Sequence, residues 1–374
     1  MPARKGLRER EFPVTRDWTY LDHATFGPLP ACHVRAATAA LRELAQEGST
    51  RLAGSALLES VRSEAAALLH CPTRHVALLK STSEGLGLLA QGLDWREGDE
   101  VVVYEREFEG CLAPFLNLRH LGVRIRVVPD LGRARFDAED VERLLTPRTR
   151  AVCVSVVNRS HGMRAPIEAI GELCRGRGLW YALDAAQAMG VLRLDPAAVG
   201  ADVVAAHGYK FLLSGFGLAP TYCSEHVLAE VRVPQVGWKN ARVTEELTVD
   251  LAETAARFES TMSSIPLLAG MVESLRLLRG VDEVERESHA VGLIRSAGDR
   301  LRDRGYAVVS STLPEEMSSV LSLRHPSLAA DEVARGLRSA GVACAAVDGC
   351  LRISAHFFNT TDDVDALLAA LPAV

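Results

Sequence analysis

Short strand-like runs recur through the middle of the chain, at 76–79, 100–104, 124–128, 151–157, 179–183 and 201–206, and the segments between them have room for one helix each. Most are apolar at successive positions. A strand apolar on both faces belongs in a parallel sheet covered by helices on each side. The alternation therefore predicts an α/β fold, with 219–223 added as an antiparallel strand. Such sheets bind ligands at the carboxyl ends of their strands, where the order of the strands reverses.

Two of those ends carry the most chemistry. The run 179–183 delivers Asp184, and the run 201–206 ends at His207 with Lys210 close behind. A carboxylate at one strand end can keep a ring nitrogen protonated, while a lysine at the next can form a Schiff base with an aldehyde. That is the division of labour in pyridoxal phosphate (PLP) chemistry. The same residues also fit a helix cap on the segment after Asp184 and a surface lysine.

At 374 residues the chain is too long for one small core and is expected to form two domains. The expected division is a large domain at 17–262 and a smaller α+β domain at 263–374, with 1–16 as an extended or frayed arm. A net charge of -6 gives no electrostatic reason to expect nucleic acid or an anionic membrane as partner. No run approaches the ~18 apolar residues of a membrane span. The basic start, MPARKGLRERE, lacks the apolar stretch of a signal peptide. The eight cysteines are scattered without a CxxC pair, which suggests neither a metal site nor a disulfide framework. These features fit a reducing cytoplasm.

Helical spacing covers 31–47 and 56–70, then 265–304 with a break near Gly280. At the junction after the first strand, Ser81, Thr82 and Ser83 open a helix. Free N–H groups and hydroxyls there suit an anion as well as they suit a plain N-cap. His23 lies in a Gly-Pro turn, Phe108 follows the second strand, and Arg352 sits in a late strand. In isolation these read equally as a solvated histidine, a core aromatic and a surface arginine.

Several segments together resemble the class V aminotransferase group of fold-type I PLP enzymes: DAAQ at 184–187, HGYK at 207–210, GFG at 215–217, YLDHATFGPLP at 20–30, RFESTM at 257–262, and LRIS at 351–354 followed by NTTDDVD at 359–365. The resemblance runs from about Tyr20 to Asn359. It implies that Lys210 holds PLP as an imine and that Asp184 partners the ring nitrogen. Gln187 and either Asn158 or Arg159 would face the ring hydroxyl, with Phe108 stacked on the ring. The turn Ser81, Thr82, Ser83, with His207 and Tyr209, would hold the phosphate. Thr261 would reach the phosphate of a neighbouring subunit, making a homodimer obligatory. His23 and Phe26 are implied substrate contacts, and Arg352 would pair with the substrate carboxylate through its planar fork.

The same resemblance bears on the reaction. Cysteine desulfurases carry a nucleophilic thiol on a mobile loop shortly before the carboxylate arginine. This chain has only AGVACAAVDGCLR at 340–352, too short for that loop and without its motif. Cys350 and Arg352 share a strand face, yet a small core cysteine is the simpler reading of Cys350. The expectation is a branch similar to isopenicillin N epimerase-like enzymes, including members of antibiotic pathways, acting by β-elimination on a cysteine thioether. Epimerisation, transamination and decarboxylative deamination start from the same complex and stay open, as does a PLP-fold protein that binds a small molecule without turnover.

Overall fold

The computed structural model describes residues 2–48 and 54–374. Seven strands form the main sheet: β1 (Val76–Leu79), β2 (Glu100–Tyr104), β3 (Arg124–Val128), β4 (Thr149–Ser155), β5 (Trp180–Asp184), β6 (Val203–Ala205) and β7 (Ala219–Cys223). Their order is β1-β7-β6-β5-β4-β2-β3. β7 runs antiparallel to both of its neighbours, and the remaining pairs are parallel.

The apolar runs explain this arrangement. Along β2 and β4, Val102, Tyr104, Val152 and Val154 join one buried cluster, while Val101, Val103, Ala151 and Cys153 join another on the opposite face. Only β3, at the edge, carries exposed positions, Arg124 and Val127. The carboxyl ends of β4, β5 and β6 lie side by side, with Ser155 paired to Asp184 and Asp184 to Ala205.

A second, antiparallel sheet contains β8 (Ala307–Val308), β9 (Val320–Arg324), β10 (Ala345–Val347) and β11 (Cys350–Ser354), in the order β8-β9-β11-β10. Leu321, Leu323, Leu351 and Ile353 meet a third core formed with the helices 283–303, 330–339 and 361–370. The helix Ile265–Arg279 sends Leu268, Met271, Val272 and Leu275 into the core of the main sheet instead.

The N-terminal segment ties the two sheets together. Thr19–Tyr20 pairs in parallel with Val342–Ala343, and the Ser354 amide donates to the Leu21 carbonyl at 2.8 Å. Residues 2–11 form a helix rather than the expected extended arm. Its docking is tertiary: Arg8 donates to Asp363 at 2.7 Å, and Phe12 stacks on Phe358 at 3.6 Å. Contacts with residues some 350 positions away leave no mark in local sequence. No described helix is long and apolar enough to cross a membrane.

Candidate active site

Asp184 and Lys210 converge where the ends of β5 and β6 meet. Asp184 is buried; its Oδ1 accepts the Ala186 amide at 2.8 Å. Burial raises its carboxyl above the usual range, and the Ala186 amide and the Lys210 charge act in the opposite direction. Burial lowers Lys210 to about 8, against the pull of Asp184; Arg352 and Arg159 add to the lowering. The lysine and the carboxylate therefore share one enclosure with two arginines.

Aromatic faces bound that enclosure. Lys210 Nζ lies 5.7 Å from the centroid of the Phe108 ring, and the Arg159 guanidinium lies 5.0 Å from the same ring. His207 and Tyr209 stack at 4.1 Å with ring planes 6° apart. Tyr209 in turn stacks on Phe216 at 4.0 Å and, more loosely, on Phe26 at 6.0 Å.

The helix Thr82–Gly92 opens beside His207. Ser81 caps it by accepting the Glu84 amide, and Ser83 donates to the Gly110 carbonyl. The Thr82 hydroxyl accepts the His207 amide at 3.1 Å, and its oxygen lies within hydrogen-bond distance of ring Nδ1, at 2.7 Å. Burial, reinforced by the Lys210 charge, lowers the His207 ring to about 3, so it is neutral. The first amides of the helix have no intrahelical partner, as in any helix.

Arg352, 3% exposed, is fixed from two sides: Nη1 donates to the Arg159 carbonyl at 2.9 Å, and Nη2 to the Thr25 hydroxyl at 2.6 Å. Thr25 gives no signal in the sequence, where a threonine in a turn is ordinary. Asn158 is held in its own loop, its Nδ2 donating to the Arg106 carbonyl and its Oδ1 accepting the Ser160 amide. Gln187 donates to the Ala24 carbonyl through Nε2.

His23 lies behind the wall of the site and not on it. It is fully buried, its Nε2 is 3.0 Å from Asn359 Oδ1, and it packs against His356 and Phe358. Phe26 is half-buried at the rim. Thr261 lies in the turn after Phe258, beside Glu259, which accepts from Arg62 Nη1 and Lys239 Nζ, each at 2.6 Å.

Glu107, the residue before Phe108, is one that sequence reasoning misses. It is buried, and its carboxylate accepts both the amide and the hydroxyl of Ser155. An acid placed between apolar strands is the available clue.

Three buried polar atoms here have no partner among the described residues: Gln187 Oε1, His207 Nε2 and Arg352 Nε. With the open amides of Thr82 and Ser83, they supply the donors and acceptor that a phosphorylated pyridine and an amino-acid carboxylate require. A PLP site fits the residues present.

The family model for class-V aminotransferases matches residues 19–367. The chain belongs to the class-V aminotransferase family. Its cofactor is PLP, and it is an enzyme of fold-type I. Among its relatives, a probable cysteine desulfurase of Methanothermobacter thermautotrophicus is 28% identical, with 96% of this chain and 95% of that protein covered. A second, from Pyrococcus abyssi, is 24% identical, with 97% and 95% covered. Among solved structures, a C-DES mutant with glycine covalently linked to its PLP cofactor superimposes with a TM-score of 0.90 at 23% identity, over 97% of this chain and 98% of that one. The complex of the cystine C–S lyase C-DES with its product, cysteine persulfide, gives 0.89 at 23%, over 96% and 98%. At these identities the likeness to the structures is one of fold.

Proposed function

We propose that this class-V enzyme is a PLP-dependent lyase that breaks the Cβ–S bond of an S-substituted L-cysteine by β-elimination. The substrate and one water yield a thiol, pyruvate and ammonia. The observation that carries this reading is the β10–β11 hairpin. Asp348 and Gly349 close it in a two-residue turn, both with positive φ (49° and 73°), the type I′ geometry that joins adjacent strands directly. Where a desulfurase carries a mobile thiol loop, this chain has a tight hairpin with Cys344 and Cys350 both buried. Sulfur then leaves with the substrate's own substituent. C-DES, a cystine C–S lyase with cysteine persulfide as its reaction product, is consistent with such chemistry.

PLP supplies the electron sink that makes the substrate Cα acidic. Arg352, with Nε open and its other nitrogens anchored, is the group for the α-carboxylate. Lys210 Nζ, near neutral by burial, is placed to take the Cα proton. Asp184 holds a proton at the ring nitrogen. Phe108 covers one ring face, Gln187 and Arg159 or Asn158 meet the ring hydroxyl, and Thr82, Ser83, His207 and Tyr209, with Ser81 capping their helix, receive the phosphate. The enzyme is proposed to work as a homodimer, with Thr261 reaching the partner's phosphate.

Cysteine itself is the second reading. It is favoured by the names of the relatives and by the position of Cys350 two residues before Arg352 on one strand face. Products separate the two. Holoprotein given L-cystine, S-ethyl-L-cysteine or L-cysteine is expected to release pyruvate and ammonia. Alanine, with a persulfide on Cys350, would establish desulfuration in its place. Cα deuterium exchange without either product would mean epimerisation, and carbon dioxide would mean decarboxylation.

A further inference from the structure

Glu107 is a buried acid for which the reaction has so far found no use. β2 ends at Tyr104, and its pairing with β4 stops at Cys153, so Ser155 at the tip of β4 has no strand partner on that side. Glu107 replaces the missing strand: Oε1 accepts the Ser155 amide at 2.8 Å, and Oε2 accepts the Ser155 hydroxyl. On its other side Ser155 pairs with Asp184, and the next amide, Val156, donates to the Asp184 carbonyl at 2.8 Å. One carboxylate thus anchors the strand end that carries the ring-nitrogen partner. It also anchors the turn that carries Phe108, the next residue in the chain.

Hydrogen bonding alone does not call for an acid here. A glutamine could accept from the amide and donate to the hydroxyl without burying a charge, which is costly when no cation is paired with it. No arginine or lysine pairs with Glu107 among the described residues. The titratable groups that face it are Asp184 from β5, Cys111 from the helix 109–116, Cys153 from β4 and Tyr104 from β2.

We propose that Glu107 is a positioning residue of the cofactor site: it fixes the Phe108 turn and the Asp184 strand end in one clamp, and its negative charge, added to that of Asp184, holds the proton on the bound cofactor. Burial, offset in part by the Ser155 donors and reinforced by Asp184, raises its carboxyl to about 7, which places the change of charge in the neutral range. The inference rests on PLP lying between Phe108 and Asp184 and does not depend on which reaction follows.

The test uses holoprotein without substrate. The pH titration of cofactor absorbance and the dissociation of PLP are measured for wild type, Glu107→Gln and Glu107→Asp, with thermal unfolding of the apo forms as control. Loss of the charge in Glu107→Gln is expected to lower the absorbance midpoint by about one pH unit, a common size for one nearby charge. Glu107→Asp keeps the charge but shortens the reach, so its midpoint should stay in place while PLP dissociates severalfold faster. A glutamine variant with the wild-type midpoint and wild-type retention overturns the proposal. If that variant does not fold, the aspartate variant decides, and wild-type retention in it overturns the proposal equally. Pyruvate release from S-ethyl-L-cysteine is scored separately, so failure of the lyase reading leaves this result intact.

Discussion

A Cβ added to Gly27 would stand 1.9 Å from the carbonyl oxygen of Lys210. Gly27 donates its own amide to the Tyr209 carbonyl at 2.8 Å. The loop that carries Gly27 is therefore laid directly on the backbone of the lysine segment, and one methyl group must push the two apart. Gly27→Ala is expected to cost about 1–3 kcal/mol, the usual range for overpacking, and to weaken PLP retention. Gly176, in the helix 167–177 with nothing within 4 Å of an added Cβ, is the control. Gly176→Ala should leave retention unchanged and raise the melting temperature slightly. Equal behaviour of the two variants would show that the loop is free to move.

Lys210 makes the loading of the apoprotein pH-dependent. Its folded value, lowered by burial to about 8, means that the reactive neutral amine rises with pH through a midpoint near 8 and levels off about a unit above it. The rate of reconstitution with PLP should follow that curve in a stopped-flow experiment. Arg159 contributes to the lowering, so Arg159→Gln is expected to move the midpoint upward. A rate still climbing beyond pH 10 would mean that the amine is as exposed as an ordinary surface lysine.

Acid should destabilise the apoprotein well before its surface carboxylates titrate. Burial lowers His23 and His161 to about 4 and His207 to about 3, all below the value near 6.5 of an unfolded chain. Neutral histidines contribute stability that is complete above about 6.5 and lost as pH falls through about 4. By the size of the shifts the ceiling is about 3 kcal/mol each for His23 and His161 and about 5 kcal/mol for His207. Glu107 has the opposite sign: its raised value gives stability present below about 4.5 and lost as pH rises through about 7. His33 and His356 are lowered in the same way, so five buried histidines stand against the raised carboxyls of Glu107, Asp22 and Asp184, and urea midpoints should fall between pH 6.5 and 4. His23→Gln should flatten that fall, and a profile unchanged by it would place the acid sensitivity elsewhere.

The parts of this fold that were legible in the sequence are those set by local pattern. Buried strands such as 101–104 and 180–183 declare themselves by unbroken apolar runs, whereas Asp184 and Lys210, which follow such runs, are singled out only by the resemblance of DAAQ and HGYK to the class V group. What was not legible depends on contacts distant in sequence. The helix 265–279 is visibly amphipathic, yet nothing in its spacing says that it packs with the main sheet's helices and not with the second sheet. His23 has the surroundings of a surface turn until Asn359 and Phe358 close over it. Glu107 is meaningful only through the register that leaves Ser155 without a strand partner.

The turn that carries Thr261 is built into an exposed apolar surface. Gly237 lies so close to Ser260 that a Cβ there would meet the Ser260 carbonyl oxygen at 2.2 Å, and Asn240 donates to the Arg257 carbonyl at 2.7 Å. Beside these contacts, Trp238 is 75% and Leu247 85% exposed, with Val243 and Val249 also in the open on the hairpin 241–251. Exposed apolar groups at these positions suit the dimer contact proposed above. If that surface joins two copies of the chain, dimerisation and cofactor retention must weaken together, because Thr261 is carried on the same unit. Trp238→Asp and Leu247→Asp, combined, are expected to shift the protein from dimer to monomer in light scattering and to speed PLP loss. Thr261→Val should speed PLP loss while leaving the dimer intact. A wild-type protein that is monomeric at micromolar concentration and still retains PLP would remove Thr261 from the phosphate site altogether.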